Sequence, residues 1–277
     1  MKVSIITIAY NDLKGLENTW QSIRRQTFRD FEWIVIDGGS TDGTREFLQE
    51  HDSEIAFWCC EPDKGAYNAQ NKGTKHAKGE YCVYMNSGDV FYDDDVLEKV
   101  FERKIDADII YGNWLMVFEN GKTRLDVAPV ELDMAFFFSG NICHQAMLAK
   151  TELMLNRPYD ESFQVYADWD EWLDMFVQGK RFEKVDIIFC KFMVGGLSTG
   201  SSKALVAKRD AEIERLHEKY YPELWRKTMK RAAPCLLVYE HLKAKRKQHN
   251  KLIRILIIVS SLLFVTNILT MYYLLGV

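Results

Sequence analysis

The stretch VSIITIAYND, residues 3–12, decides the fold class of this chain. It opens with apolar and β-branched residues, a composition typical of a strand buried on both faces, and it ends in polar residues. Apolar residues then recur at helical spacing through Leu13, Leu16, Trp20 and Ile23. A buried strand, a polar loop and an amphipathic helix in this order predict the first unit of an α/β fold.

The same order of strand, loop and helix returns along the first hundred residues. We predict further strands at 31–36, 55–58 and 81–85, with helices that begin near Asp42 and cover 66–78. Strands that alternate with helices predict a mostly parallel, Rossmann-like sheet with helices on both faces.

After residue 100 the pattern is less regular. We predict a strand at 109–111 and a hairpin that turns at Asn120-Gly121, a dipeptide favoured in tight turns. Two helices are predicted over 168–178 and 203–220, because apolar residues recur there on one helical face.

Each of the four predicted strands in the first half is followed by a polar loop. These loops are residues 9–12, 37–43, 61–65 and 86–89. In an open parallel sheet, ligands bind beyond the carboxyl ends of the strands. Carboxylates and glycines recur in the loops, and glycine lets the backbone approach a ligand closely. The sequence therefore predicts a site for a charged ligand at this edge of the sheet.

The residue types at this edge suit sugar transfer from a nucleotide diphosphate. The departing diphosphate needs its charge neutralised, which a bound Mg²⁺ or Mn²⁺ does, and these cations prefer oxygen ligands. Asp89 is the candidate metal ligand, and Lys64 or Lys72 is a candidate for adding positive charge against the phosphates.

Four motifs carry a resemblance to a known family: SIITIAYND, VIDGGSTDGT, EPDKGAYNAQNKG and YMNSGD. In this order they resemble the nucleotide-binding half of family 2 glycosyltransferases of the GT-A fold, of the bacterial cell-envelope or capsule polysaccharide type. The likeness is strong over residues 1–100 and continues more weakly through NICHQAML and ADWDEWL to about residue 195.

The resemblance implies a role for particular residues. Asp89 stands at the metal motif for Mn²⁺ or Mg²⁺, and His144 lies where the family often has a residue near the phosphates or metal. Asp168 matches the general base that deprotonates the acceptor hydroxyl for an inverting attack. The implied donor-binding residues are Ala9, Tyr10, Asn11, Asp37, Asp63, Lys64, Gly65, Asn68, Lys72, Ser87 and Gly88.

Two departures from the family pattern affect these assignments. The usual Asp-x-Asp reads Asn86-Ser87-Gly88, so only Asp89 is acidic there. The usual Glu-Asp pair reads Ala167-Asp168, and Asp170 is a competing candidate for the base. Residues two apart on a helix do not share a face, so only one of these two acids should point into the cleft.

Other conspicuous residues have ordinary structural interpretations. Asp42 is expected to cap a helix rather than bind a ligand. The acids at 93–95 are expected to begin a helix, because negative charge is favoured at its N-terminus. The run at 136–138, three phenylalanines, fits either the core or a surface that meets a lipid acceptor. The six cysteines form no C-x-x-C pair and are interpreted as reduced core residues.

The C-terminal part predicts a membrane anchor. Residues 255–277 carry no charge, and about 20 apolar helical residues span a bilayer core. Ten Lys or Arg and one acid lie between Arg226 and Arg254, and such positive flanks stay cytoplasmic. A buried core helix, or a surface helix within the basic stretch, is the alternative.

These patterns divide the chain into three predicted parts. Residues 1–222 form the catalytic domain, with a nucleotide-sugar half (1–100) and an acceptor half (101–222). Residues 223–252 form a basic juxtamembrane segment, and 253–277 form a transmembrane helix. The predicted location is the inner membrane, as a single-pass protein with its catalytic domain in the cytoplasm.

The function predicted from the sequence is inverting, metal-dependent sugar transfer from a nucleotide-sugar, by family frequency a UDP-sugar, to a lipid-linked or cell-envelope glycan. An acidic body argues against a nucleic-acid partner. A nucleotidyltransferase is one alternative, but its expected glycine-rich phosphate loop is missing from residues 9–12. A non-catalytic, membrane-tethered binding protein is the other, supported by Asn86 and Gly88 in place of acids.

Overall fold

The computed structural model describes residues 1–196 and 199–230. Contacts divide the chain into a unit Met1–Leu216 and a second unit that starts at His217. The strands are β1 Val3–Ala9, β2 Phe31–Asp37, β3 Phe57–Cys60, β4 Tyr81–Tyr84, β5 Val90–Phe91, β6 Ile109–Val117, β7 Thr123–Asp126, β8 Met147–Lys150 and β9 Phe182–Met193. The α-helices are α1 Leu13–Arg25, α2 Thr44–Glu50, α3 Ala66–Thr74, α4 Val96–Phe101, α5 Met134–Ser139, α6 Thr151–Asn156, α7 Ala167–Val177 and α8 Lys203–Tyr220. Residues 223–230 are also helical.

The first four strands alternate with helices as predicted, and both faces of β1 are covered. Ile5 packs in a buried cluster with Leu16 of α1 and Leu48 of α2. On the opposite face, Ile6 lies against Gly73 of α3, so closely that a Cβ built on this glycine would be 2.5 Å from the isoleucine Cγ2. Successive strand residues point to opposite faces, so the continuous apolar run of β1 is explained by helices on both sides.

The sheet is mixed, which corrects the prediction of a mostly parallel sheet. The strand order is β3-β2-β1-β4-β8-β6-β9-β5, with β7 paired to β6. Four strand pairs among the described residues are parallel and four are antiparallel. The regular alternation of strands and helices stops after β4, and from there β8 and then β6 extend the sheet in antiparallel pairs.

Several local predictions are confirmed. β6 and β7 form the predicted hairpin around Asn120-Gly121, where the Phe118 N–H donates to the Lys122 carbonyl at 2.9 Å. The acids at 93–95 precede α4. The prediction of Asp42 as the cap of α2 is wrong by one position: the N-cap is Gly43, and Asp42, just before it, accepts hydrogen bonds from the Thr44 N–H and hydroxyl. Of the three phenylalanines in α5, Phe137 and Phe138 are buried.

No helix within 1–196 and 199–230 is both long and apolar enough to cross a membrane. The predicted transmembrane helix, 253–277, lies outside the described residues, as does most of the predicted juxtamembrane segment 223–252. Both therefore stay predictions. The five cysteines among the described residues are free, but only Cys82 and Cys190 are buried, so the interpretation as core residues holds for these two.

Candidate active site

The loops after β1, β2 and β3 form one continuous edge, which we call the donor rim (residues 9–12, 37–41 and 61–65). The two oxygens of Asp37, which is fully buried, accept hydrogen bonds from the Ser40 hydroxyl and from the N–H groups of Gly39 (3.2 Å) and Ser40 (2.9 Å). The Ser40 hydroxyl also accepts from the Asn11 N–H at 2.7 Å. Asp37 is therefore fixed by its own turn, and that turn is tied to the loop after β1.

Gly38 brings two further predicted residues of the donor rim together. A Cβ built on Gly38 would lie 2.8 Å from Asp63 Oδ2 and 3.1 Å from Tyr10 Cδ2. Any side chain at this position would displace the Asp63 carboxylate, so glycine is required for the close approach. The Tyr10 side chain is 67% exposed, and it lies where a flat ligand can stack on its ring. Ala9, by contrast, is buried and contributes its carbonyl to Gly38.

Two predicted donor-binding residues of α3, Lys72 and Asn68, have side-chain partners within the protein. Lys72 Nζ donates to Glu61 Oε1 at 2.8 Å, and this contact lowers the pKa of Glu61. Asn68 accepts from the Lys64 N–H and donates to Glu161 Oε2 at 3.0 Å. The charge of Lys72 is thus shared with a carboxylate.

The loop after β4 contacts the loop after β1. The Ser87 hydroxyl donates to Asp12 Oδ2 at 2.7 Å, and the Gly88 N–H donates to the Thr19 hydroxyl at 3.1 Å. A Cβ on Gly88 would lie 3.7 Å from Asp12 Oδ2. An acid at 88 would therefore sit beside Asp12, a carboxylate that the sequence assignment of site residues omitted.

Asp89 lies beneath this loop and is only 5% exposed. Its Oδ1 accepts from the Met193 N–H at 2.9 Å and its Oδ2 accepts from Gln145 Nε2 at 2.6 Å. Burial raises the pKa of Asp89 to about 6. Both oxygens therefore hold protein donors. No group of three or more His, Cys, Asp or Glu in the described part of the chain is arranged to hold a metal ion by itself.

A second group of residues is joined by hydrogen bonds to Asn86 in the loop after β4. We call it the acceptor wall: Tyr67, Asn86, His144 and Asp168. Asp168 Oδ2 lies 3.0 Å from His144 Nδ1, and its Oδ1 accepts from the Tyr67 hydroxyl at 3.1 Å and from the Trp169 N–H at 2.9 Å. Opposite an ionised carboxylate, Nδ1 is the protonated nitrogen of the imidazole, because a carboxylate can only accept.

The other imidazole nitrogen of His144 contacts Asn86. Its Nε2 is 3.0 Å from Asn86 Nδ2, and Gln70 Nε2 donates to Asn86 Oδ1 at 3.0 Å. Asn86 occupies the first position of the motif that is usually Asp-x-Asp. Here its amide fixes the orientation of a histidine. The departure from Asp-x-Asp marks Asn86 in the sequence, but its contact with His144 is visible only in the fold.

Asp170, the competing candidate for the base, points away from the cleft. It is fully buried, and its Oδ2 lies 2.8 Å from Arg157 Nη2. Arg157 also pairs with Glu171 and Asp174. Burial raises the pKa of Glu171 to about 8. The nearby carboxylates of Asp170 and Asp174 also raise it, whereas Arg157 lowers it. The geometry thus separates Asp168 in the cleft from Asp170 in a structural ion cluster.

The sequence assignment of the site residues was incomplete. Tyr67, Gln70 and Gln145 contact Asp168, Asn86 and Asp89, and none was singled out before. No local motif marks these residues, because each acts on a partner more than ten positions away. The catalytic, donor and metal roles themselves stay predictions.

Comparisons with known proteins agree with this architecture. The model of glycosyl transferase family 2 matches residues 4–166. A Mycobacterium tuberculosis protein named as an uncharacterized glycosyltransferase is 31% identical over 224 residues, covering 79% of this chain and 85% of its own length. A PGL/p-HBAD biosynthesis glycosyltransferase of Mycobacterium bovis is 32% identical over 174 residues, covering 60% of this chain and 66% of its own length.

Solved structures share the fold at low sequence identity. S. aureus TarS 1-349 in complex with UDP-GlcNAc has a TM-score of 0.57 at 17% identity, covering 80% of this chain and 74% of that structure. The mannosyltransferase PcManGT from Pyrobaculum calidifontis, in complex with GDP-Man and Mn²⁺, has a TM-score of 0.57 at 19% identity, covering 95% and 80%. The resemblance seen in the sequence motifs is confirmed: the chain belongs to glycosyl transferase family 2 and is a glycosyltransferase.

Proposed function

We propose that this glycosyltransferase moves a sugar from a UDP-sugar to a hydroxyl of a lipid-linked or cell-envelope glycan, with inversion at the anomeric carbon. One observation carries the proposal: Asp168 is held in the cleft by Tyr67 and His144, while the neighbouring acid, Asp170, is withdrawn into an ion cluster. A positioned carboxylate of this kind suits a general base.

The steps of the proposed reaction follow from the hydrogen bonds that Asp168 already makes. Its Oδ1 accepts two hydrogen bonds and its Oδ2 accepts one, so a lone-pair direction on Oδ2 is open for the acceptor hydroxyl. As the acceptor oxygen bonds to the anomeric carbon, its proton passes to Asp168 and the bond to the diphosphate oxygen breaks. The imidazole of His144 keeps the carboxylate oriented throughout.

The donor rim provides the complementary half of the reaction. Asp63 presents its carboxylate to the hydroxyls and base of the nucleotide, and Tyr10 offers an exposed ring for stacking. Asp37 holds the turn between them from its buried position. Lys64 is the cation that we assign to the diphosphate, since Lys72 shares its charge with Glu61.

A divalent cation fits this site if the donor brings most of its ligands. Mg²⁺ and Mn²⁺ sites on nucleotides often use one or two carboxylates together with substrate phosphates. Asp12, exposed beside Ser87 and Gly88, is the carboxylate that would hold it, while Asp89, the predicted ligand, lies below with both oxygens accepting from protein donors. When bound, the cation would neutralise charge on the departing diphosphate.

A membrane-bound acceptor is supported by the sequence of the C-terminal part. The basic stretch between Arg226 and Arg254 and the uncharged run 255–277 suit attachment at an anionic bilayer surface. The growing glycan would then lie on a lipid at the same face as the catalytic domain.

The test is a thermal-shift and turnover series on the full chain in detergent. UDP, GDP and their sugar conjugates are added with and without Mn²⁺, and released nucleotide is measured with a lipid-extract acceptor. Since a ligand of the folded state raises its stability, we expect UDP with Mn²⁺ to raise the melting temperature more than GDP with Mn²⁺. Equal or opposite shifts reject the uridine donor, and binding without any nucleotide release, even with acceptor, supports a non-catalytic binding protein instead.

A further inference from the structure

The N-terminus of α7, which carries Asp168, is held from a distant helix. Helix α7 starts at Ala167, and the residue before it, Tyr166, makes no side-chain capping hydrogen bond. Three consecutive N–H groups in front of the helix instead point at one carboxylate. Those of Gln164 (2.7 Å), Val165 (3.0 Å) and Tyr166 (3.0 Å) all donate to Glu212 of α8.

Glu212 is built into this contact. It is only 8% exposed, so its charge requires compensation, and the three N–H groups provide it as charge-assisted hydrogen bonds. Negative charge beside the N-terminus of a helix is also favoured by the helix dipole. A buried carboxylate with three backbone donors therefore fixes the path of residues 164–166.

Two side chains on the same face of α8 make further contacts with residues 160–164. Lys208 Nζ donates to the Gln164 side chain. Arg215 Nη2 donates to Asp160 Oδ2 at 2.9 Å and to the Ser162 hydroxyl at 2.6 Å, and its guanidinium lies 4.0 Å from the Phe163 ring centroid. Lys208 and Arg215 lie four residues before and three residues after Glu212, so the three side chains share one face.

The held segment leads directly to Asp168. The Tyr67 hydroxyl oxygen lies 2.5 Å from the Val165 carbonyl oxygen and 3.1 Å from Asp168 Oδ1, so its one proton is shared between these two acceptors. Movement of Val165 would therefore displace the tyrosine that orients the base, besides moving the start of α7. A loss of position of about 1 Å at a reacting group can cost about 10²-fold in rate.

We propose that Glu212 is a positioning residue for sugar transfer, acting through residues 164–166 on Tyr67 and Asp168. The inference rests on the proposed role of Asp168. It extends the functional part of the chain from Asp168 in α7 to helix α8, both beyond residue 166, where the family match ends. It also separates two properties: the donor rim is built from the loops after β1, β2 and β3, so donor binding should survive the loss of this contact.

The test compares Glu212→Gln with Asp210→Asn in the full chain. Asp210 is an exposed acid on the same helix, so it controls for loss of charge on α8. For Glu212→Gln we expect kcat to fall about 10–100-fold, with the KM for the UDP-sugar and the UDP-induced melting shift within about twofold of the parent. Amide hydrogen exchange of residues 160–170 should accelerate, while β1 and β2 exchange as in the parent.

A second variant covers the case in which Glu212→Gln does not fold. Glu212→Asp keeps the charge and withdraws it by one methylene, so we expect a smaller loss of kcat and a smaller gain in exchange. The inference is overturned if exchange of 160–170 is unchanged in both variants, or if kcat falls only in proportion to donor affinity. The exchange result is independent of turnover. A parent that releases no UDP with acceptor therefore rejects the proposed function, whereas unchanged exchange rejects the positioning role.

Discussion

The donor rim and the acceptor wall are held by different kinds of contact. On the donor rim, Asp37 is bonded to groups two and three residues further along the chain. On the acceptor wall, Asp168 is bonded to His144 across 24 residues and to Tyr67 across 101 residues. The position of Asp37 is thus set by a local turn, whereas that of Asp168 depends on contacts that exist only once the chain has folded. Binding of donor and activation of acceptor should therefore respond separately to mutation.

The largest effect is expected from a pair of substitutions in the acceptor wall and the ion cluster beside it. Asp168→Asn keeps the shape and removes the proton acceptor, so we expect kcat to fall about 10²–10⁴-fold with little change in melting. Asp170→Asn weakens a buried ion pair with Arg157, so we expect a loss of about 1–3 kcal/mol in unfolding free energy and a smaller loss of activity. Turnover and denaturant unfolding measure the two quantities.

The opposite pattern would exchange the roles of the two acids. If Asp170→Asn abolished turnover in a fully folded protein while Asp168→Asn remained active, the base would be Asp170. The structural separation between the cleft and the ion cluster would then be wrong.

A smaller effect is expected on the donor rim. Asp37→Asn replaces a buried carboxylate oxygen that accepts from the Ser40 hydroxyl and thereby holds the turn of the donor rim. We expect donor affinity to weaken about tenfold, with kcat at saturating donor nearly unchanged. The matched control is Asp30→Asn, an exposed acid just before the same strand, β2. Isothermal titration with UDP-sugar measures the affinity, and an equal loss in both variants would contradict the assignment.

The smallest effect concerns the ion cluster and its dependence on pH. Burial raises the pKa of Glu171 from 4.5 to about 8. The folded state therefore binds this proton more tightly than the unfolded state, and the stabilisation is complete below the unfolded pKa and lost as pH rises toward 8. Between about pH 5 and 8, the unfolding free energy of the parent should fall more than that of Glu171→Gln, by up to about 1 kcal/mol for each pH unit.

The control for this pH series is Glu152→Gln, which changes an exposed acid in α6. Urea unfolding at several pH values provides the free energies. A parent and a Glu171→Gln variant with parallel pH profiles would show that Glu171 is ionised in the fold throughout this range.

The same contrast explains how much the sequence could predict. The sequence placed Asp37 and Asp63 at one edge correctly. They follow β2 and β3, and the carboxyl ends of neighbouring parallel strands lie at the same edge of a sheet. The mixed part of the sheet was not predicted. No helix separates β4 from the short strand β5, and the pairing of β8 with β4 joins residues 81–82 to 149–150, which no local periodicity reveals.

The site residues missed by sequence reasoning follow from the same cause. Gln145 and Tyr67 bond to Asp89 and Asp168 through contacts that span 56 and 101 residues. Hydrophobic spacing reports which face of an element is buried, but it carries no information on which distant side chain will oppose it. Asp170 is an example. Its spacing from Asp168 predicted that the two side chains point in different directions, but only the contact with Arg157 shows that Asp170 is the acid held in an ion cluster.

The reversed direction of β8 has a consequence for how this enzyme can diverge. Because β8 runs antiparallel to β4, the residues that precede it, including His144, reach the edge at which β4 ends. Insertions or deletions between α5 and His144, in residues 140–143, would thus change the surroundings of this histidine without altering the register of any strand. Evolution can in this way exchange one acceptor for another while the machinery that reads the nucleotide is inherited intact.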